Sequence, residues 1–302
     1  MVPWRRSGRI LTGAVLGLGL AEAAARLLIG PPVLYQSDPV YEYRLRPGQD
    51  HRRFGHRILV NGVGMRSDAL DPVPAPGTVR LLVLGDSVVN GGAETGHGDL
   101  ATTRLDGQVL GGRQLEVLNL SAGSWGPGNM RAVLERFGSF GADGLILVLS
   151  GHDLTDDRRY GPRDPVVHPE TAPPSILWNS LRRYLWPRIR PGAVAPPAPP
   201  APQPGEARQS LAALLSGAVA GPAGPLPRCV VLHRSLDGSD GAALATIAAM
   251  ALAAGVPVVA DAGFLDPARA YRDGIHLTAA GQAQLAGALE ACARAILPPP
   301  GG

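Results

Sequence analysis

Four short segments hold the side chains that could do covalent chemistry. Gly85-Asp86-Ser87 offers a hydroxyl, Asn119 to Gly128 a loop with Gly123, Gly126 and Gly128, Ser150-Gly151-His152-Asp153 an imidazole, and Asp273-Gly274-Ile275-His276-Leu277-Thr278 an Asp-x-x-His pair. A serine hydroxyl is a weak nucleophile until a neighbouring base takes its proton, and that base needs a third group to fix its tautomer. Ser87, His276 and Asp273 are the residue types for those three tasks. The i, i+3 spacing lets Asp273 and His276 face one way on a single turn. The oxyanion formed by attack on a carbonyl then needs preorganised donors, each worth roughly 10²–10³-fold in rate. The Ser87 backbone N–H, a backbone N–H at Gly123 or Ser124, and the side chain of His152 are the expected set.

These residues matter only if the fold gathers them. Val79 to Leu84, Leu115 to Asn119, Leu145 to Leu149, Cys229 to Leu232 and Val256 to Val259 are short apolar runs, each read as a strand buried on both faces. Met130 to Phe137, Ala242 to Ala254 and Ala279 to Ile296 read as helices between or after them. Alternation of this kind predicts an α/β fold, a three-layer flavodoxin-like parallel sheet with helices on both sides. Ligands in such sheets bind beyond the carboxyl ends of the strands, and all four segments follow a strand or lead into the last helix. Ahead of this domain (78–297), residues 31–77 read as a lead-in with short strands around Tyr35, Tyr41, Tyr43 and Arg57 to Val60. Seven prolines among residues 191–204 mark an interruption at about 188–206, and Pro298 to Gly302 read as a loose tail.

With the segments in this order, the chain resembles the SGNH/GDSL hydrolases, over about residues 78 to 297. Val83-Leu84-Gly85-Asp86-Ser87 is similar to the first family block, Val117-Leu118-Asn119 with its glycines to the second, and Asp273 to His276 with Leu277, Thr278 and Gly281 to the last. Asn61-Gly62-Val63-Gly64-Met65-Arg66 resembles membrane-anchored bacterial members. The resemblance implies a Ser87–His276–Asp273 serine esterase acting on small acyl esters. At two positions the chain departs from the pattern. His152 stands where the third block usually has an Asn donor, expected to act as a neutral imidazole, and Ser124 stands where the second block has Gly.

Composition excludes other classes. The 302 residues include no lysine and 28 arginines, spread along the chain, with a net charge of +3 and only 5% aromatics; nucleic-acid binding would need clustered charge with interleaved aromatics, so no nucleic-acid partner is expected. Two cysteines, Cys229 and Cys292, exclude a disulfide-rich scaffold and leave one bridge or two thiols open. Asp153, Asp156 and Asp157 beside His152 fit no tight ligand spacing, so neither metal nor cofactor is expected. Trp125 and Trp178 read as core residues, with a sugar-binding cleft as the alternative.

Arg5, Arg6 and Arg9 precede a 20-residue apolar stretch, Ile10 to Ile29, broken by Glu22 and Arg26. Residues 1–30 therefore read as an inner-membrane anchor with the domain outside the cytoplasm. A signal peptide cleaved near Ala21-Glu22-Ala23 and an amphipathic helix on the domain are the alternatives. An exported esterase makes acetyl groups on an envelope polysaccharide the first candidate substrate, with acyl transfer to a sugar and silent glycan binding as other functions.

Overall fold

The computed structural model describes residues 4–158, 163–190, 204–217, 220–221 and 224–297. Most of the proline-rich stretch (191–203) and the tail from 298 lie outside them. The chain opens on helix α1 (Trp4–Leu28) and continues into two antiparallel hairpins, β1 (Tyr35–Asp38) with β2 (Glu42–Leu45) and β3 (Gln49–Arg53) with β4 (His56–Val60). Then come β5 (Thr78–Gly85), α2 (Ser87–Asn90), α3 (Ala101–Leu105), β6 (Val109–Leu110), β7 (Arg113–Ser121), α4 (Pro127–Phe137) and β8 (Gly144–Ser150). Next, α5 (Ile176–Ser180), a π-helical turn (Leu181–Leu185) and α6 (Trp186–Ile189) form one helical stretch, followed by α7 (Glu206–Ser216). The remainder is β9 (Ala220–Gly221), β10 (Gly224–Pro225), β11 (Arg228–His233), α8 (Gly241–Ala253), β12 (Val258–Ala260), α9 (Pro267–Ala270) and α10 (Ala279–Ile296).

Six strands form the main sheet in the order β12-β11-β8-β5-β7-β6. All pairs are parallel except β6 with β7, which gives the expected parallel sheet an antiparallel edge. Numbered among the parallel strands alone, the order is 2-1-3-4-5, the flavodoxin-like winding, with its switch point beside β5. Strand periodicity builds the two cores. Leu82 and Leu84 of β5 join Leu145, Leu147 and Leu149 of β8 on one face, under α4, α7 and α8. Leu81 and Val83 join Ile146, Val148 and Val231 on the other, under α3 and α10. The central strands β5, β8 and β11 bury both faces, which is why their runs look continuously apolar.

Cys229 of β11 and Cys292 of α10, both fully buried, form a disulfide across 63 residues of chain, settling the alternative that the sequence left open. Closing a loop of that size stabilises a fold by about 2–4 kcal/mol. The Cys229→Ala/Cys292→Ala variant is expected to melt lower by that amount, and reductant should shift the wild type but not the variant in a thermal scan.

Candidate active site

Ser87 is half-buried at the first residue of α2, immediately beyond the carboxyl end of β5. The strand can turn this sharply because Gly85 has no side chain. A Cβ there would lie 2.3 Å from Cγ2 of Val89. Asp86 caps the helix, its Oδ1 accepting from Val88 N–H at 2.8 Å. Asn119 of β7, fully buried, steadies the same turn by donating from Nδ2 to the Val89 carbonyl and to Thr102 Oγ1, each at 3.0 Å.

Part of this support comes from the lead-in. Asn61 Oδ1 accepts from Val63 and Met65 N–H at 3.1 and 3.0 Å, folding a turn around Gly64, whose φ of +85° suits glycine. That turn sends the buried Arg66 to the end of α2 and the loop after it. Its guanidinium donates to the carbonyls of Asn90 (2.9 Å), Gly92 (2.8 Å) and Thr95 (3.1 Å). Burial alone drives its pKa down, to about 10.

The histidine and its acid arrive from the other end of the chain. Asp273 Oδ1 accepts from Ile275 and His276 N–H at 3.0 and 2.8 Å, making a tight turn on which the carboxylate also meets His276 Nδ1 at 2.9 Å through Oδ2. Partial burial works against charge on Asp273, but the two backbone donors and then the His276 ring outweigh it and hold the pKa at about 2. The carboxylate is ionised throughout the neutral range. It accepts the Nδ1 proton and leaves the Nε2 lone pair facing Ser87 Oγ, 2.9 Å away. The three residues singled out from the sequence therefore meet in the order a nucleophile, base and orienting acid require. The turn is set in place by Thr278, which caps α10 by accepting from Gly281 N–H at 3.1 Å.

The expected oxyanion donors divide. Gly85 pairs with Ser121 in register, so Gly123 and Ser124, two and three residues further on, lie at the same sheet edge as Ser87. Ser124 adopts φ +61°, the left-handed region that costs a residue with a Cβ about 1 kcal/mol or more. The Gly of the resembling family would sit there without strain. His152 follows β8 as expected but is not the neutral imidazole anticipated. Its Nε2 is 3.2 Å from Asp86 Oδ2, and the bond to Asp86 raises its pKa to about 9 against the opposing effect of burial. At neutral pH it is an imidazolium with a second N–H to offer, a stronger donor to an oxyanion.

Asp153 beside it is fully buried, its Oδ2 accepting from Ser150 N–H at 2.7 Å. Burial, and next the charge on Asp86, push this carboxyl well above the usual carboxylate range. Asp86, His152 and Asp153 carry ligand-type atoms within 4.8 Å of one another, the spacing of a metal site. All three groups already have protein partners, Asp86 and His152 each other and Asp153 the Ser150 amide, so the residues fit an ion pair beside a buried carboxyl better than a metal shell. Asp157 is committed elsewhere, capping α7 through Ala207 N–H (2.7 Å) and Gly205 N–H (3.1 Å).

One buried pair carries no signal in the motifs. His233 ends β11 and Asp261 follows β12; both are fully buried, with Nδ1 2.5 Å from Asp261 Oδ2. Nε2 of the same ring donates to the Ile275 carbonyl at 2.8 Å, inside the Asp273–His276 turn. Burial opposes charge on His233, yet the bond to Asp261 prevails and raises its pKa. Of the two tryptophans, Trp125 is core, donating from Nε1 to the Tyr43 carbonyl at 2.8 Å. Trp178 is 57% exposed on α5, which corrects its reading as a core residue.

Neither a family model nor a curated protein sequence matches the chain. Among solved structures, an inhibitor-bound aryl esterase of M. smegmatis is 18% identical with a TM-score of 0.44, covering 72% of this chain and 100% of its own. An acetylxylan esterase from Geobacillus stearothermophilus is 14% identical with a TM-score of 0.41, over 70% of this chain and 92% of its own. A member of the lipolytic G-D-S-L family from Veillonella parvula is 12% identical with a TM-score of 0.37, over 70% and 95%. The first two of these solved structures carry the name of an esterase and the third that of the lipolytic G-D-S-L family.

Proposed function

We propose that the protein is a serine esterase that cleaves small acyl esters through Ser87, His276 and Asp273. The observation that carries this reading is the continuous chain from Asp273 to His276 Nδ1 and from Nε2 to Ser87 Oγ, with contacts of 2.9 Å. His276 takes the hydroxyl proton as Oγ attacks the ester carbonyl. The oxyanion is met by the Ser87 N–H, a backbone N–H at Gly123 or Ser124, and the His152 imidazolium. Collapse expels the alcohol, which takes the proton from His276 and leaves an acyl-Ser87 ester. Water, deprotonated by His276, then attacks the acyl carbon, and collapse releases the acid as His276 returns the proton to Ser87 Oγ.

We read α1 as an anchor that places the domain outside the cytoplasm, and on that reading the substrate is an envelope ester, first an acetylated polysaccharide. Helix α1 is long and apolar enough to cross a membrane, with a window from Leu11 to Leu28 of mean hydropathy 1.4. A buried disulfide fits an oxidising compartment. The test is turnover of p-nitrophenyl acetate by the full chain in detergent. Steady release supports hydrolysis, a burst of one equivalent that stalls without a sugar acceptor indicates acyl transfer, and no release from folded protein rejects both.

The charged state of His152 has its own consequence. A raised pKa means that its ion pair is complete below the ordinary histidine value and is lost as pH rises through about 9. Ester turnover is expected to fall along that limb in the wild type, whereas His152→Asn, a neutral donor, should show no such limb. His152→Ala should lower kcat by about 10²–10³-fold, measured at pH 7.

A further inference from the structure

The 176–189 stretch takes no part in the active site, yet it is tied firmly to α1. Glu22, the acid that breaks the apolar run, caps its N-terminus, accepting from Ser175 Oγ (2.7 Å), Ile176 N–H (3.0 Å) and Leu177 N–H (3.0 Å). Glu22 also pairs with Arg26 at 2.8 Å, and Arg26 donates to the Pro174 carbonyl at 2.8 Å. On the far side the buried Arg53 joins the Gly30 carbonyl (2.9 Å) to the Tyr184 hydroxyl (3.0 Å). Where α1 leaves the bilayer therefore fixes where this helical stretch lies.

That level follows from charge. Ionised side chains are costly in hydrocarbon, and Glu22 and Arg26 are the first charges after Arg9, whose long side chain can reach back to the opposite interface. The turn holding Glu22 and Arg26 is therefore placed at the membrane boundary, and the 176–189 stretch starts from that turn. Its surface has the matching chemistry. Trp178, Leu181, Leu185 and Ile189 recur at spacings of three, four and four residues and are 57%, 36%, 46% and 61% exposed. Arg182, Arg183, Arg188 and Arg190 lie among them, with no acidic residue from 171 to 190. Trp178, Trp186, Arg182, Arg183 and Arg190 line a cleft of about 380 Å³ together with Asp164, its one acidic residue. Indole and guanidinium groups in one cleft are what a phosphate headgroup at an acyl boundary requires.

We propose that the 176–189 stretch lies in the plane of the membrane interface and that its Trp178–Trp186 cleft binds the phosphate headgroup of an anionic lipid in the bilayer that α1 crosses. The proposal rests on α1 as a retained anchor. The test reconstitutes the full chain into nanodiscs of phosphatidylglycerol and phosphatidylcholine, with lipids brominated near the headgroup. These should quench a component of tryptophan emission that Trp178→Phe and Trp186→Phe each remove. Arg182→Gln/Arg190→Gln, or discs of phosphatidylcholine alone, should weaken that component at least twofold. Equal quenching in wild type and both Phe variants, with the chain still resisting an alkaline carbonate wash of proteoliposomes, overturns the proposal and leaves the anchor standing. Release of the chain by that wash overturns the anchor and the proposal with it. Undiminished quenching in the Arg variant and in phosphatidylcholine discs overturns the headgroup assignment.

Discussion

Replacing Ser87 by Ala is expected to lower p-nitrophenyl acetate turnover by about 10⁴–10⁶-fold while leaving the fold intact. The asymmetry follows from what the hydroxyl touches. Ser87 Oγ meets His276 Nε2, and the turn itself is held by other groups: the Asp86 cap, the Asn119 amide and the Arg66 guanidinium. Alanine is well suited to the first turn of a helix, so the melting temperature should move by no more than a degree or two. A fluorophosphonate probe gives an independent reading, because it should add its mass to the peptide carrying Ser87 in the wild type and to nothing in Ser87→Ala. Turnover in Ser87→Ala within tenfold of wild type would remove Ser87 as nucleophile and with it the proposed mechanism.

How much of this was legible in the sequence depended on the range of the interaction. The central strands β5, β8 and β11 could be read because each buries both faces and therefore presents an unbroken apolar run. The antiparallel edge β6 could not, since two residues, Val109 and Leu110, form no pattern. Asp273 and His276 share one turn, so their meeting is written in a three-residue spacing. Ser87 lies 189 residues away from His276, and its part was legible through the rule that sites lie at strand ends and through the resemblance of Val83 to Ser87 to a family block. The same rule, applied to the fourth and fifth strands, points to His233 and Asp261, which the motifs passed over. The charge on His152 was out of reach for another reason. It depends on Asp86 facing the ring across the β5–β8 switch point, a tertiary contact with no local signature. Likewise, the lead-in motif from Asn61 to Arg66 announced itself as a motif, but only its packing shows that Arg66 braces the loop after the nucleophile.

The largest effect on stability is expected at His233. Truncation to Ala removes the Nε2 donor to the Ile275 carbonyl and leaves Asp261 buried beside a void. Breaking a buried ion pair from one side costs about 3–5 kcal/mol, on the order of 10 °C in melting temperature for a domain of this size. The Asp273–His276 turn would also lose its tether, and a shift of about 1 Å there is enough to cost about 10²-fold in kcat with little change in KM. Asp261→Asn separates tether from charge. With Asn at 261, a neutral His233 can keep its Nε2 proton on the Ile275 carbonyl and accept from the new amide through Nδ1, so both groups remain satisfied. His233 with its raised pKa contributes charge-dependent stability that is complete below the ordinary histidine value and declines as pH rises through the native value. Asp261→Asn should abolish that dependence yet keep most of the activity, whereas His233→Ala should lose both. Thermal scans across pH, run beside kcat and KM for the two variants, check this. Full activity and an unshifted melting temperature in His233→Ala would show that the catalytic turn holds its place without the pair.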